Sequence, residues 1–445
     1  MKKCYLLGLS FMIIMHLTAN ENFDTDSIQN GDKKKLVDTL TYETQSGLPV
    51  AASKIYFSDR KFTFSGFGEV NYTHYNGPKS TESGDLELYM TNMYRFVSYL
   101  AYRPAPWVVL YAEVFAELMH DRRREIHAEY FLEFFADFLI HDKFNVRVGT
   151  HQVQIGYLNN NDEPILFYSV NRPEVERLII PSTWIDLGIM TYGNITKDIK
   201  WTFSVYQGLD SEAYNGGTWL RRGRDEEFRF KFNSFILNSK WTYTGFKNTE
   251  IALNGLWTQA GNNQRLEAVY GDERIRANTY LLSSYIRHEM KNVTLMALGS
   301  YGNMRETDKL YNLTGAASDN VNQVMGSQVY GYYFELGYDI LPFFRNLGNK
   351  EKKEKKDNFF VKHRELKLPL FARYERLNTH ADIHPDLVNK ARFQNDLHAL
   401  TLGVNFNPRK NIVLKANYQF RWNKAPLPNG EFEGDRFEAG LGFIF

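Results

Sequence analysis

Glu113, Glu117, Glu129, Glu133 and Asp137 are the side chains whose spacing first suggests chemistry. They occupy one alternating parity of segments 107–117 and 126–140, and the other parity is largely apolar. The acids at 125, 129, 133 and 137 recur every four residues, as on a helical face. However, Ile126, Ala128, Tyr130, Leu132, Phe134, Ala136, Phe138 and Ile140 alternate strictly. A strand gathers all eight on one face, whereas a helix would scatter them around its circumference. Lys367, Arg373, Lys415, Arg421 and Arg436 hold the matching parity near the C-terminus, interrupted by Glu375 and Glu438. Arg147 and His151 occupy it on a strand between the two groups. Acids facing bases across a narrow wet interior would set a transverse field that admits hydrated ions and disfavours greasy solutes. Alternatively, the same charges pair with one another and fill space.

Other chemistries find little support. No Ser/His/acid constellation falls on adjacent strands, so no enzyme activity is expected. His380, Asp382 and His384 share one connection, but no helix holds the imidazoles together, and a solvated loop is the simpler reading. No cofactor or metal is called for. The basic patch Arg221, Arg222 and Arg224 suits either lipopolysaccharide phosphate or solvent. A net charge of +1 gives no argument for nucleic acid.

The elements that must carry these residues are strands. Aromatics make up 15% of 445 residues, yet mean hydropathy is −0.45. Beyond the N-terminus no apolar run reaches the roughly 18 residues of a membrane helix. The ending DRFEAGLGFIF places Phe437, Ala439, Leu441, Phe443 and Phe445 on one face, and Arg436, Glu438, Gly440 and Gly442 on the other. Lipid on one side and a wet lumen on the other demand this rhythm. It marks sixteen segments: 62–73, 86–100, 107–117, 126–140, 144–155, 184–192, 199–207, 239–245, 250–258, 278–288, 292–301, 328–340, 366–377, 397–406, 411–422 and 435–445. Every second link is short and the intervening ones are mostly long, the asymmetry of periplasmic turns and external loops. The fold class is therefore all-β, a transmembrane antiparallel β-barrel of sixteen strands. Trp107, Trp184, Trp201, Trp241 and Trp422 are expected in interfacial girdles.

Residues 1–19 read as a signal peptide holding the only cysteine, Cys4, and 20–58 as a flexible periplasmic leader. Residues 59–445 form the barrel. One link on the short side, 341–365, is long and carries a basic run over 350–356; it reads as a solvated loop or a contact for an anionic partner.

The stretches LPVAASKIYFSDRKFTFSGFGEVNY (48–72), FYSVNRPEVERLIIPSTWIDLGIMTYG (167–193), LFARYER (370–376) and FNPRKNIVLKANYQFRWN with the final strand are similar to porins related to the phosphate-selective porin O/P group. The resemblance spans most of the chain beyond residue 48. It implies a sixteen-stranded, trimeric diffusion pore in the bacterial outer membrane. Phosphate selectivity does not carry over, because that group's ladder of lumenal arginines cannot be placed here. In such porins the link after the fifth strand folds inward. Here that link is 156–182, with Asp162, Glu163, Arg172, Glu174, Glu176 and Arg177 as its constriction residues; an external cap is the other reading.

The function expected is passive diffusion of small hydrophilic solutes and ions through a charged lumen. Expected partners are those solutes, outer-membrane lipid and lipopolysaccharide, the barrel-assembly machinery through Phe445, and two further copies in a homotrimer. Rival readings are a substrate-specific channel for a hydrophobic or anionic solute, with the leader acting as a hatch, and a barrel-anchored adhesin or structural protein.

Overall fold

The computed structural model describes residues 40–76, 90–121, 126–181, 183–224, 232–316, 322–347, 365–391, 394–425 and 434–445. Strand segments follow from two-residue alternation of apolar and polar side chains. In chain order they are β1 (Phe62–Tyr75), β2 (Met90–Ala105), β3 (Val108–Asp121), β4 (Ile126–His141) and β5 (Phe144–Gln152). Next come β6 (Ile185–Thr196), β7 (Ile199–Gln207), β8 (Phe235–Tyr243) and β9 (Thr249–Gln259). A small separate hairpin, β10 (Gln264–Arg265) with β11 (Arg274–Ile275), interrupts the series. The remainder are β12 (Asn278–Met290), β13 (Val293–Met304), β14 (Gln328–Asp339), β15 (Pro369–Asp382), β16 (Asp396–Arg409), β17 (Ile412–Asn423) and β18 (Arg436–Ile444).

Leaving out that hairpin, sixteen strands pair antiparallel with their sequence neighbours, and β18 pairs with β1 to close a barrel. At the seam Phe67 faces Ile444 and Tyr75 faces Arg436. Gly66 and Phe445 exchange both backbone hydrogen bonds there, at 3.1 and 2.9 Å. The Phe445 ring stacks on Phe96 outside the wall, with centroids 5.9 Å apart.

The wall sorts side chains by parity. Along β17, Leu414 and Trp422 are exposed on the outside, and Val413, Lys415, Asn417, Gln419 and Arg421 are buried within. β4 obeys the same rule, with Leu132 and Phe134 outside and Glu133 and Asp137 inside. An outer face of this kind needs an apolar solvent, and the barrel accordingly spans a membrane.

Several sequence expectations change. Strand β8 begins at Phe235, earlier than the predicted 239, and the link 302–327 contains a helix, Thr307–Ala316, that buries Leu310 and Leu313. Trp184 is no girdle residue. It is fully buried, and its indole N–H donates to Asp186 at 3.3 Å, because it falls on the inward parity where a loop re-enters the wall. Trp107, Trp241 and Trp422 do lie on the outer surface. The basic run 350–356 and residues 1–39 lie outside the described residues.

The expected leader also differs from its prediction where it is described. Residues 48–55 carry the short apolar run Leu48, Val50, Ala51, Ala52 and Ile55, and all five are buried. They pack with inward residues Phe67, Tyr99, Tyr111 and Phe135 of β1 to β4. Ser65 donates to the Ala51 carbonyl at 2.6 Å, and Tyr56 to Asp137 at 2.7 Å. The overall polarity of 20–58 hides this run, yet each large apolar side chain it buries contributes about 1.5–3 kcal/mol.

Leu402 lies near the middle of β16, 44% exposed on the outer face. Replacing it by Arg should lower stability in vesicles by about 2–4 kcal/mol if it lies near the midplane. Urea titration of the folded barrel measures this, and an unmoved midpoint would place that face away from hydrocarbon.

Candidate functional site

The chemistry sits where the β5–β6 connection, residues 153–184, enters the barrel. Asn159 ties its two ends together. Its amide donates to the carbonyls of Val153 and Trp184 at 2.6 and 3.1 Å, and its oxygen accepts the Trp184 N–H at 2.7 Å. Gly156 turns the chain at φ 65°, and a Cβ there would lie 2.7 Å from the Glu176 carboxylate. Only glycine permits this approach. Glu176 can then accept the N–H groups of Tyr157 and Leu158 at 2.7 and 2.6 Å, together with the Tyr333 hydroxyl at 2.7 Å.

From that anchor the loop reaches the far wall. Val170 donates its N–H to Asn417 at 2.8 Å, and Asn171 donates to Glu438 at 2.8 Å. Arg373 and Lys415 reach Ser169, at its hydroxyl and carbonyl, across 2.6 and 3.0 Å. The helical turn Val175–Leu178 is wholly buried. The loop thus makes hydrogen bonds to inward-facing residues of β15, β17 and β18.

Of the predicted basic residues, Arg373, Lys415, Arg421 and Arg436 meet this loop. Glu174 sits among Arg177, Arg421 and Arg436, with Arg421 at 2.6 Å. Burial pushes the Glu174 carboxyl up, but the three guanidinium groups together outweigh it and hold the group well below the usual carboxylate range. Arg436 also pairs with Glu438 at 2.8 Å, and Arg373 with Glu375 and Glu335 at 2.8 and 3.0 Å. Lys367 stands apart, exposed just before β15.

The acidic residues lie on the opposite wall. Glu117 takes Arg95 at 2.9 Å, and the same guanidinium reaches Glu69 at 2.9 Å. Asp137 pairs with Arg147 at 2.8 Å and accepts the Tyr192 hydroxyl at 2.9 Å. Glu113 and Glu133 face each other across the β3–β4 register. Glu129 pairs with Glu117 in the same register, but its side chain lies outside the described residues. From the loop, Asp162 lies 3.8 Å from Arg172, and Glu163 accepts the Ala51 N–H at 2.7 Å. Arg95 and Glu69 are functional candidates that sequence reading missed. Their inward parity was available as a signal, but nothing in the sequence paired them with Glu117.

Beyond the loop lies a cavity of about 740 Å³. Its wall includes Phe167, Arg287, Glu335, Lys367, Arg373 and Lys410, and residues 42 and 50 of the N-terminal segment also border it.

No protein-family model matches the chain. An uncharacterized protein of Aquifex aeolicus (strain VF5) is 24% identical over 386 residues, covering 85% of this chain and 79% of that protein. Among solved structures, Salmonella typhi OmpF in complex with daunomycin gives a TM-score of 0.50 at 10% identity, covering 86% of this chain and 97% of that one. The fold is that of an outer-membrane porin. The outer membrane channel DcaP of Acinetobacter baumannii scores 0.49 at 12% identity, over 86% of this chain and 97% of its own. An anion-selective porin from Comamonas acidovorans scores 0.45 at 11%, over 86% and 99%. A sixteen-stranded barrel of this fold, with an apolar outer face, belongs in the outer membrane.

Glu163 supplies a pH test. Burial, with Asp162 adding to it, pushes its carboxyl up to about 8, against the opposing pull of backbone N–H groups at 50–52. A carboxyl raised in this way stabilises the docked arrangement most below its ordinary range, and that contribution is lost as pH rises through about 8. Cleavage at Lys54 by trypsin should therefore increase across that interval in the native chain. In Glu163→Gln, whose side chain stays neutral, it should keep the enzyme's own pH profile. Identical profiles would remove Glu163 as the latch.

Proposed function

We propose that the protein is a porin through which small hydrophilic solutes and ions diffuse passively. The observation that carries this reading is a sealed barrel whose inner parity is charged, with one loop folded into the interior. Acids on β3–β4 and bases on β15–β18 give that interior the polarity a water-soluble solute requires. The residues named from the sequence, together with Arg95 and Glu69, are the proposed lining and constriction. A homotrimer, the assembly the family resemblance implies, is part of the proposal, as are lipopolysaccharide contacts. Kinship with phosphate-selective porins finds no further support, since Arg373, Arg421 and Arg436 are engaged by glutamates.

One observation favours a second reading, a substrate-specific channel. Residues 40–57 occupy interior space as a hatch would, and Glu163 holds them to the constriction loop. The charged lining makes a greasy cargo unsuitable for such a channel.

Purified protein in a planar bilayer should give stepwise ohmic conductance, and deletion of 40–57 should enlarge each step. A silent native chain with a conducting deletion variant would favour the gated, substrate-specific reading. If neither form conducts, the channel proposal fails.

A further inference from the structure

We infer that the cavity of about 740 Å³ beyond the β5–β6 loop binds cyclic saccharides, held between aromatic rings and a hydrogen-bonding wall. The inference rests on the porin reading above and names the solute class that this lumen holds in transit. The volume lies within the roughly 300–1,000 Å³ of small-molecule sites.

The cavity has two unlike faces. The loop and the N-terminal segment supply aromatic and aliphatic side chains, among them Tyr42, Phe167 and Tyr168. Two of these rings are fixed in place. The Lys415 ammonium lies 3.7 Å from the centroid of Phe167 and donates to the Ser169 carbonyl at 3.0 Å. Tyr168 stacks on Phe371, with centroids 5.5 Å apart, in a seat that Gly337 leaves open. A Cβ at Gly337 would fall 2.3 Å from the Tyr168 ring. Phe167 also borders a smaller space beside Glu69 and Arg95, so its ring stands between the two. The C–H face of a sugar ring packs on such side chains, and a fixed platform loses little entropy when it is occupied.

The strands supply the polar face. Asn405 of β16 is 3% exposed and lines the cavity, yet its amide oxygen is buried without a hydrogen-bond partner. A buried amide left in this condition is costly, and a ligand hydroxyl, which both donates and accepts, satisfies either edge of it.

The charges in this wall point to a hydroxyl-rich solute rather than an ion. Arg373 is engaged by Glu335 at 3.0 Å and Glu375 at 2.8 Å, and Arg287 by Glu289. Such pairs carry little net field, but their free edges still offer donors and acceptors to hydroxyl groups. Lys291, Lys367, Arg409 and Lys410 border the same cavity, and all four are exposed. Water and salt screen them, so they attract anions to the mouth without holding them. Selection falls to ring shape and hydroxyl groups.

Ion current through the full chain in a planar bilayer tests this. Methyl glucoside and sucrose should each block it in a saturable way at millimolar concentration. Sorbitol at equal osmolality, which has the hydroxyls without the ring, should lower it only through viscosity. Phe167→Leu keeps the apolar bulk without an aromatic face; it and Asn405→Ala should each weaken the block about three- to tenfold. Equilibrium dialysis of labelled sucrose against the detergent-solubilised protein should show the same losses. Block by benzoate or phosphate but by neither sugar, or sugar binding unmoved by both variants, would overturn the saccharide site while leaving the porin intact. A chain that conducts nothing yet retains labelled sucrose would bring down the porin reading and keep the site. With neither conductance nor retention, both fall.

Discussion

Closure of the backbone hydrogen-bond ladder is the constraint on which the rest of this structure depends. Hydrocarbon offers no partner to an unpaired N–H or carbonyl, so a sheet can cross a membrane only when its last strand meets its first. Here β18 meets β1 over the register from Phe67–Ile444 to Tyr75–Arg436. The terminal phenylalanine completes the seam with two backbone hydrogen bonds and an outer ring contact. Once the sheet is sealed, parity alone decides which side chains meet lipid and which face inward.

Sealing creates a second demand. A barrel of sixteen strands is too wide for its wall side chains to fill, and the charged inner parity needs either water or partners. The β5–β6 loop and residues 40–57 provide both bulk and partners. Glu174 and Glu176 bring carboxylates to the arginine- and tyrosine-bearing wall, and Glu163 receives the N-terminal segment. The loop is therefore structural and electrostatic at once. Its position fixes how much room remains, and its Glu174 meets the guanidinium groups of Arg421 and Arg436. On the β2–β4 side Arg95 pairs with Glu69 and Glu117, and Arg147 with Asp137.

Much of the architecture was legible in the sequence because a strand's period is a local property. Leu414 against Lys415, or Phe134 against Glu133, could be assigned to outer and inner faces without any long-range information. Short links alternating with long ones gave the strand pairing. The candidate site was less legible. Glu113, Glu133 and Arg421 could be placed on the inner parity, but not their partners. Arg421 and Glu174 lie 247 residues apart in the chain, and only the loop's path brings them together. Trp184 and the segment 48–55 were misplaced for the same reason. Composition marked one as an interfacial aromatic and the other as a polar leader, while burial depends on what lies opposite.

The sequence by itself determined the sheet: the number of strands, their inner and outer faces, and the end of the barrel at which the turns are tight. These follow from alternation and from turn length, both written within a dozen residues. Tertiary structure alone decided what fills the barrel and which charge meets which partner. That choice depends on where one long loop and one N-terminal segment come to rest, and their resting place is set by single contacts such as Asn159 with Trp184 and Glu163 with Ala51. A contact between residues far apart in sequence has no period to reveal it.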